Sequence, residues 1–345
     1  VKAFLIALLL VACGSRDQPE VKRDTERPKR VIEPPTGKVR PLPPHAIRAD
    51  GVGPFALGAS LQELVAQLPS PRIETFDVPN VGVHSSILRA EDDAIVIGGE
   101  PMGKARFIAV VGADIARTES GLHVGSTRYE LVRALGAPVD RVDRARDPHI
   151  IVPSGLRNAR VVLDGDDKVA AIVVIAEERA ADAAADGCAR PPGDDKKFGA
   201  CLTPAGELVE RDGDELAFYR TDSDTKVGHA TVPGLVFAVP LRTADGRDEV
   251  VAISRTDDPQ QRTWSLAAYG LEGGKLVKTI DQKSVYTLTA ASARWIGAEL
   301  RDLDLYLELA SHPDSIEVGG LLTRKKGDRL RDIVVITPFT VSRHR

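Results

Sequence analysis

A twelve-residue pattern occurs twice, 67 residues apart, and it constrains the fold of this chain more than any other feature. Residues 57–68 read LGASLQELVAQL and residues 124–135 read VGSTRYELVRAL, with five of the twelve positions identical. In each copy a glycine (Gly58, Gly125) leads into a hydroxyl residue (Ser60, Thr127) suited to cap the first turn of a helix. A glutamate three residues on (Glu63, Glu130) is placed to reach back to the cap, which makes a capping box. Leu61, Leu64, Val65 and Leu68 fall at i, i+3, i+4 and i+7, one apolar stripe. Leu131, Val132 and Leu135 keep that stripe in the second copy, and Gly136 and Pro138 end the helix.

After each short helix the pattern changes to β-forming runs. The first copy offers strands at 72–78, 84–90, 94–98 and 105–112, and the second at 139–144, 150–153, 159–163 and 169–176. Asp164-Gly165-Asp166-Asp167 is a good hairpin turn. Each unit therefore reads as one helix followed by an antiparallel sheet. From residue 204 onward, strands at 215–221, 234–241, 249–255, 263–271, 275–280, 284–288, 303–310, 316–323 and 331–337 are separated by turn-rich segments. This predicts an all-β antiparallel domain, a sandwich or curved meander, with a partial propeller as the alternative. The expected fold class is α+β: tandem helix-plus-antiparallel-sheet repeats followed by an all-β antiparallel C-terminal domain.

The run from Gly121-Leu122-His123-Val124-Gly125 through Leu135-Gly136-Ala137-Pro138 resembles the signature of the BamE (SmpA/OmlA) group of outer-membrane lipoproteins. The tandem arrangement is similar to the β-lactamase inhibitory protein, which is built from two such units. The resemblance covers about residues 50–178 and implies a protein-binding role, in outer-membrane assembly for the one and enzyme inhibition for the other. Both units here lack cysteine, so no binding residue is carried over.

The amino end is Val1-Lys2 followed by an unbroken apolar run to Ala12. A spanning helix needs about 20 apolar residues, so this run fits the hydrophobic region of an export signal. Leu10-Val11-Ala12-Cys13 resembles the lipobox of bacterial lipoproteins, which implies cleavage before Cys13, acylation there and attachment to a membrane. Gly14 stands where an aspartate retains enteric lipoproteins in the inner membrane, so the expected location is the outer membrane, facing the periplasm. Residues 13–47 are rich in proline and charge and read as a tether. The expected order is signal 1–12, lipidated cysteine and tether 13–47, repeats 48–118 and 119–178, junction 179–203 and β domain 204–345. The junction holds a polar helix at 177–186 and a loop between Cys188 and Cys201. With Cys13 assigned to lipid, that pair reads as a disulfide worth roughly 3 kcal/mol. Two free buried thiols are the alternative.

Net charge is −4 with the signs interspersed, which does not suggest nucleic acid. Asp245, Asp248 and Glu249 are weighed as calcium ligands against a plain hairpin turn. Asp302, Asp304 and Glu308 share one face of an alternating strand with Tyr306, where they could hold a metal or act as acid and base, against the plain reading of a solvated sheet face opposite a leucine core. The seven histidines are scattered, with no HExxH spacing, and there is no G-x-S-x-G, S-x-x-K or P-loop. Trp264 and Trp295 are expected to pack the β domain unless one serves as an exposed anchor. The reading is a non-enzymatic envelope lipoprotein without metal or cofactor, bound to membrane through Cys13 and to an envelope protein through the duplicated module. The alternatives are an enzyme inhibitor or sensor using the duplicated sheet, and a hydrolase using the 302–308 carboxylates.

Overall fold

The computed structural model describes residues 44–343 except 70, 102, 140, 142 and 177–196. The chain divides into 1–42 and Pro43–Arg345, and each described residue lies in the second unit. The signal, Cys13, nearly all of the tether, the 177–186 helix, Cys188 and residues 189–196 of the loop after it fall outside the described residues, while Lys197–Ala200 of that loop is a strand.

The fold is not the expected α+β tandem. Among the described residues 60% are strand and 9% helical, with three short α-helices: α1 (Leu61–Ala66), α2 (Arg128–Leu135) and α3 (Ala290–Trp295). The two copies do not close as separate units. Strand Val169–Ile175 of the second pairs antiparallel with Ala105–Val110 of the first, from Ile172↔Val110 to Ile175↔Phe107. The result is one seven-stranded antiparallel sheet, running from Ile150–Ile151 at one edge to Arg72–Val78 at the other. The physical reason lies in the two joined strands. Val169–Ile175 is a continuous apolar run and Ala105–Val110 is apolar but for Arg106. Such runs need cover on both faces, and pairing them removes two exposed edges at once.

Alternation splits the sheet between two cores. Leu88, Ile97, Ile108, Val161 and Val174 pack beneath α1, α2 and a small N-terminal sheet. Ile87, Val96, Phe107, Val162 and Val173 face the C-terminal half. Strand His45–Arg48 pairs in parallel with Ala116–Thr118, so regular structure begins inside the segment expected to be tether.

What repeats is the way each helix is tied to a strand. The Gly58 N–H bonds the Ala105 carbonyl and the Gly125 N–H bonds the Val169 carbonyl, both at 2.8 Å. Ser60 bridges Lys104 as Thr127 bridges Lys168. Both glycines hold positive φ, 78° and 96°, a conformation that costs a side-chain-bearing residue about 1 kcal/mol or more. At α2 both halves of the capping box form. At α1 the Ser60 hydroxyl caps nothing, and Glu63 is exposed and stays in water. Of the second stripe, Leu131 is buried while Val132 is exposed.

The C-terminal half is three four-stranded antiparallel sheets. The first two are meanders over Lys197–Thr231 and Leu235–Thr289, and the third joins Arg329–Ser342, Ser315–Lys326, Leu303–His312 and Arg144–Arg146. Of the expected strand at 139–144, only Arg144 among the described residues lies in a strand. Arg144–Arg146 instead pairs with Leu303–His312, placing a piece of the second copy in the C-terminal sheet. Strand Arg329–Ser342 packs across four strands of the seven-stranded sheet, so residues from 76 to 341 share one core. Runs 275–280 and 284–288 are a single strand, Lys275–Thr289, with register shifts opposite Trp264 and Ala268. α3 was not anticipated; Thr289 caps it by accepting the Ser292 N–H.

Candidate functional site

Where the seven-stranded sheet meets the four-stranded C-terminal sheet, the two leave a groove of about 600 Å³. Its charge comes from six arginines, Arg106, Arg141, Arg144, Arg146, Arg157 and Arg160, against the glutamates Glu100, Glu308 and Glu317. The elements explain the placement. Arg106 and Arg160 stand on strands Ala105–Val110 and Ala159–Leu163. Arg144 and Arg146 stand two apart on a strand whose middle residue, Ala145, enters the shared core. Arg141 approaches through an isolated bridge to Arg144.

Most of these charges have partners. Arg160 reaches across the groove to Glu308 at 2.5 Å. Arg106 meets Glu100 at 2.8 Å, Arg141 meets Asp143 at 2.7 Å, and Glu317 lies 3.8 Å from His312. Arg146, Arg157 and Arg160 each have interactions beyond those named here. The walls between the charges are apolar: Val139, Ile175, Val335 and Pro338.

Sequence inspection passed over this site. Its signal was present in Arg141-Val142-Asp143-Arg144-Ala145-Arg146, where alternate positions set two arginines on one side of a strand. The run lies within the second repeat, and the strand it pairs with lies about 160 residues further along the chain.

The carboxylates singled out from sequence do not converge. Asp302 ends a 3₁₀ turn, Asp304 pairs with Arg255 at 3.2 Å, and Glu308 is taken by Arg160. Leu303, Leu305, Leu307 and Leu309 are buried as the alternation requires, but the opposite face is not simply solvated. Burial raises the Tyr306 hydroxyl to about 12. Asp245, Asp248 and Glu249 also point apart. The Thr243 hydroxyl and Arg247 hold Asp245 at about 2. Asp248 is buried, accepts from Arg242 at 2.9 Å and receives the Cys201 N–H at 2.9 Å. Glu249 meets Arg343 at 3.0 Å. Among the described residues no group of three or more His, Cys, Asp or Glu is arranged to hold a metal, and no helix is long and apolar enough to cross a membrane. Cys201 is disulfide-bonded, with its partner outside the described residues.

One histidine is oriented. His149 Nδ1 lies 2.9 Å from Asp147 Oδ1, and the same oxygen accepts the His149 backbone N–H at 2.8 Å. The Asp147 hydrogen bond raises the imidazole above its ordinary value against the opposing effect of burial, with Arg128 and Asp167 nearby. A raised folded value stabilises the fold fully below the unfolded value, and this is lost as pH rises through the folded one. The stability gap between the native chain and His149→Ala, measured by urea unfolding, is therefore larger near pH ~5.5 than near ~8.5. Equal gaps at both pH values reject the assignment.

The fold and groove define a predominantly antiparallel β protein with an arginine-rich cleft between two sheets. Comparison with family models, curated proteins and solved structures finds no match to the chain.

Proposed function

We propose that the chain is a non-enzymatic lipoprotein of the cell envelope, held to the outer membrane by lipid on Cys13, whose folded unit binds an anionic envelope component in the groove. The groove carries the reading: about 600 Å³ of space with apolar walls and an excess of arginine fits recognition of an anion. The anchor rests on the Leu10–Cys13 motif. Inhibition or sensing through the duplicated sheet is less well supported, because both faces of that sheet are covered by packed side chains.

Two measurements test the reading. Cys13→Ala abolishes incorporation of a labelled palmitate in growing cells; a variant that still takes up label removes the anchor. A photo-crosslinker at exposed Thr337, on the groove, captures an envelope component in intact cells, while one at Asp222, outside it, does not. Equal capture from both positions, or none from either, removes the binding site.

A further inference from the structure

The geometry points to a specific class of ligand, an inference that rests on the groove being a binding site. We propose that the occupant is a small amphipathic anion, with a carboxylate or phosphate head at Arg144 and an apolar body lying between the two sheets. Arg144 is half-buried and lines the groove. Among the described residues its guanidinium enters no ion pair or hydrogen bond, while Arg106, Arg141 and Arg160 each have a carboxylate. The nearest acid in sequence, Asp143, gives both oxygens to Arg141. The three groove glutamates are committed to Arg106, Arg160 and His312. Arg144 acts on Asp143 through space alone, and a partly desolvated cation without a direct ion pair is costly to keep. A ligand anion removes that cost, and the planar guanidinium fork matches a carboxylate or phosphate.

The remainder of the cavity selects against a bare ion. Val139, Ile175, Val335 and Pro338 give the anion's neighbourhood an apolar wall, which inorganic phosphate leaves unused. The volume lies within the roughly 300–1,000 Å³ of small-molecule sites. A protein segment is less well served. The strand edge beside the groove, Arg144–Arg146, has three residues, too short to template an added strand.

The test uses the full chain carrying Cys13→Ser, so that no attached lipid competes, with binding followed by titration calorimetry. The probes are laurate and dodecyl phosphate below their micelle concentrations, inorganic phosphate, and a glutamate-rich peptide. One amphiphile or both binds at a single site, and the two arms separate a carboxylate head from a phosphate head. Inorganic phosphate binds at least about tenfold more weakly, and Arg144→Gln weakens the amphiphile by about tenfold or more. Arg144 makes no direct ion pair or hydrogen bond to lose and acts on Asp143 only through space. Arg144→Gln therefore stays within about 0.5 kcal/mol of native stability by urea unfolding, which separates lost binding from lost folding. The inference is overturned if neither amphiphile binds, if Arg144→Gln binds as tightly as the native chain, or if inorganic phosphate matches the amphiphiles. Binding of the peptide alone also overturns it while leaving the groove's role intact. Loss of the Thr337 crosslink in cells instead removes the underlying reading.

Discussion

Replacing Asp332 with alanine lowers the stability of the folded unit by about 3–5 kcal/mol, read as a lower urea midpoint with an unchanged slope. Asp332 and Arg89 have side chains 1% exposed and pair directly. Arg324, also buried, donates to the other oxygen of Asp332 and to the Ile296 carbonyl. Glu74 completes the cluster, 3.1 Å from Arg89 and 3.7 Å from Arg324, and the Arg324 guanidinium lies 5.1 Å from the Phe76 ring centroid. These four residues come from two strands of the seven-stranded sheet and two of the C-terminal sheet, so the cluster is the polar seam between them. Alanine at 332 leaves two buried guanidinium groups with one half-exposed carboxylate. Their desolvation, more than the loss of attraction, sets the size of the effect. An all-apolar replacement, Arg89→Met with Arg324→Met and Asp332→Leu, is therefore less destabilised than Asp332→Ala alone. If the triple variant is the worse of the two, the explanation fails.

Glu74 adds an acid limb to the same cluster. The Arg89 hydrogen bond holds its carboxyl below the usual range. A depressed value gives stability that is present above the unfolded value and lost as pH falls through the folded one. Glu74→Gln thus narrows its deficit against the native chain as the solution is acidified below about pH 4.

Trp264→Ala costs about 3–5 kcal/mol, whereas Trp295→Ala changes stability by less than about 0.5 kcal/mol. Trp264 is 1% exposed and Trp295 is 72% exposed. Trp264 stands opposite Tyr286 in the register of two long strands, inside the core shared by both halves of the fold. Truncation there leaves a cavity in a fully buried layer of that core. Trp295 ends α3 with its ring in water, so its loss leaves no cavity. Urea unfolding of the two variants decides the matter, and comparable losses from both would contradict this assignment of the core.

These features were legible to different degrees from local pattern. The Leu303–Leu309 alternation foretold which side chains are buried, because a strand presents successive residues to opposite faces whatever its partner. Strands Arg72–Val78 and Ala159–Leu163 fall at their expected limits. Trp264 falls inside the expected strand 263–271 and Trp295 between strands, in Ala291-Ser292-Ala293-Arg294-Trp295, but which of the two is buried is decided by the packing. The arginines of the groove were visible as residues but not as a site. Their convergence depends on Arg144–Arg146 leaving the second copy for a strand 160 residues away.

By itself the sequence determined where strands such as Arg72–Val78, Ala159–Leu163 and Leu303–His312 run, which faces they bury, and the repeated helix start with its glycine and its Thr127–Glu130 box. Those are properties of short stretches, set by backbone sterics and by the period of apolar residues. Only the tertiary structure decided that the two copies share one sheet, that a buried ionic seam joins that sheet to the C-terminal half, and that a groove opens between them. Strand partners are chosen by mutual burial of edges and faces across long chain separations, and no local pattern records that choice.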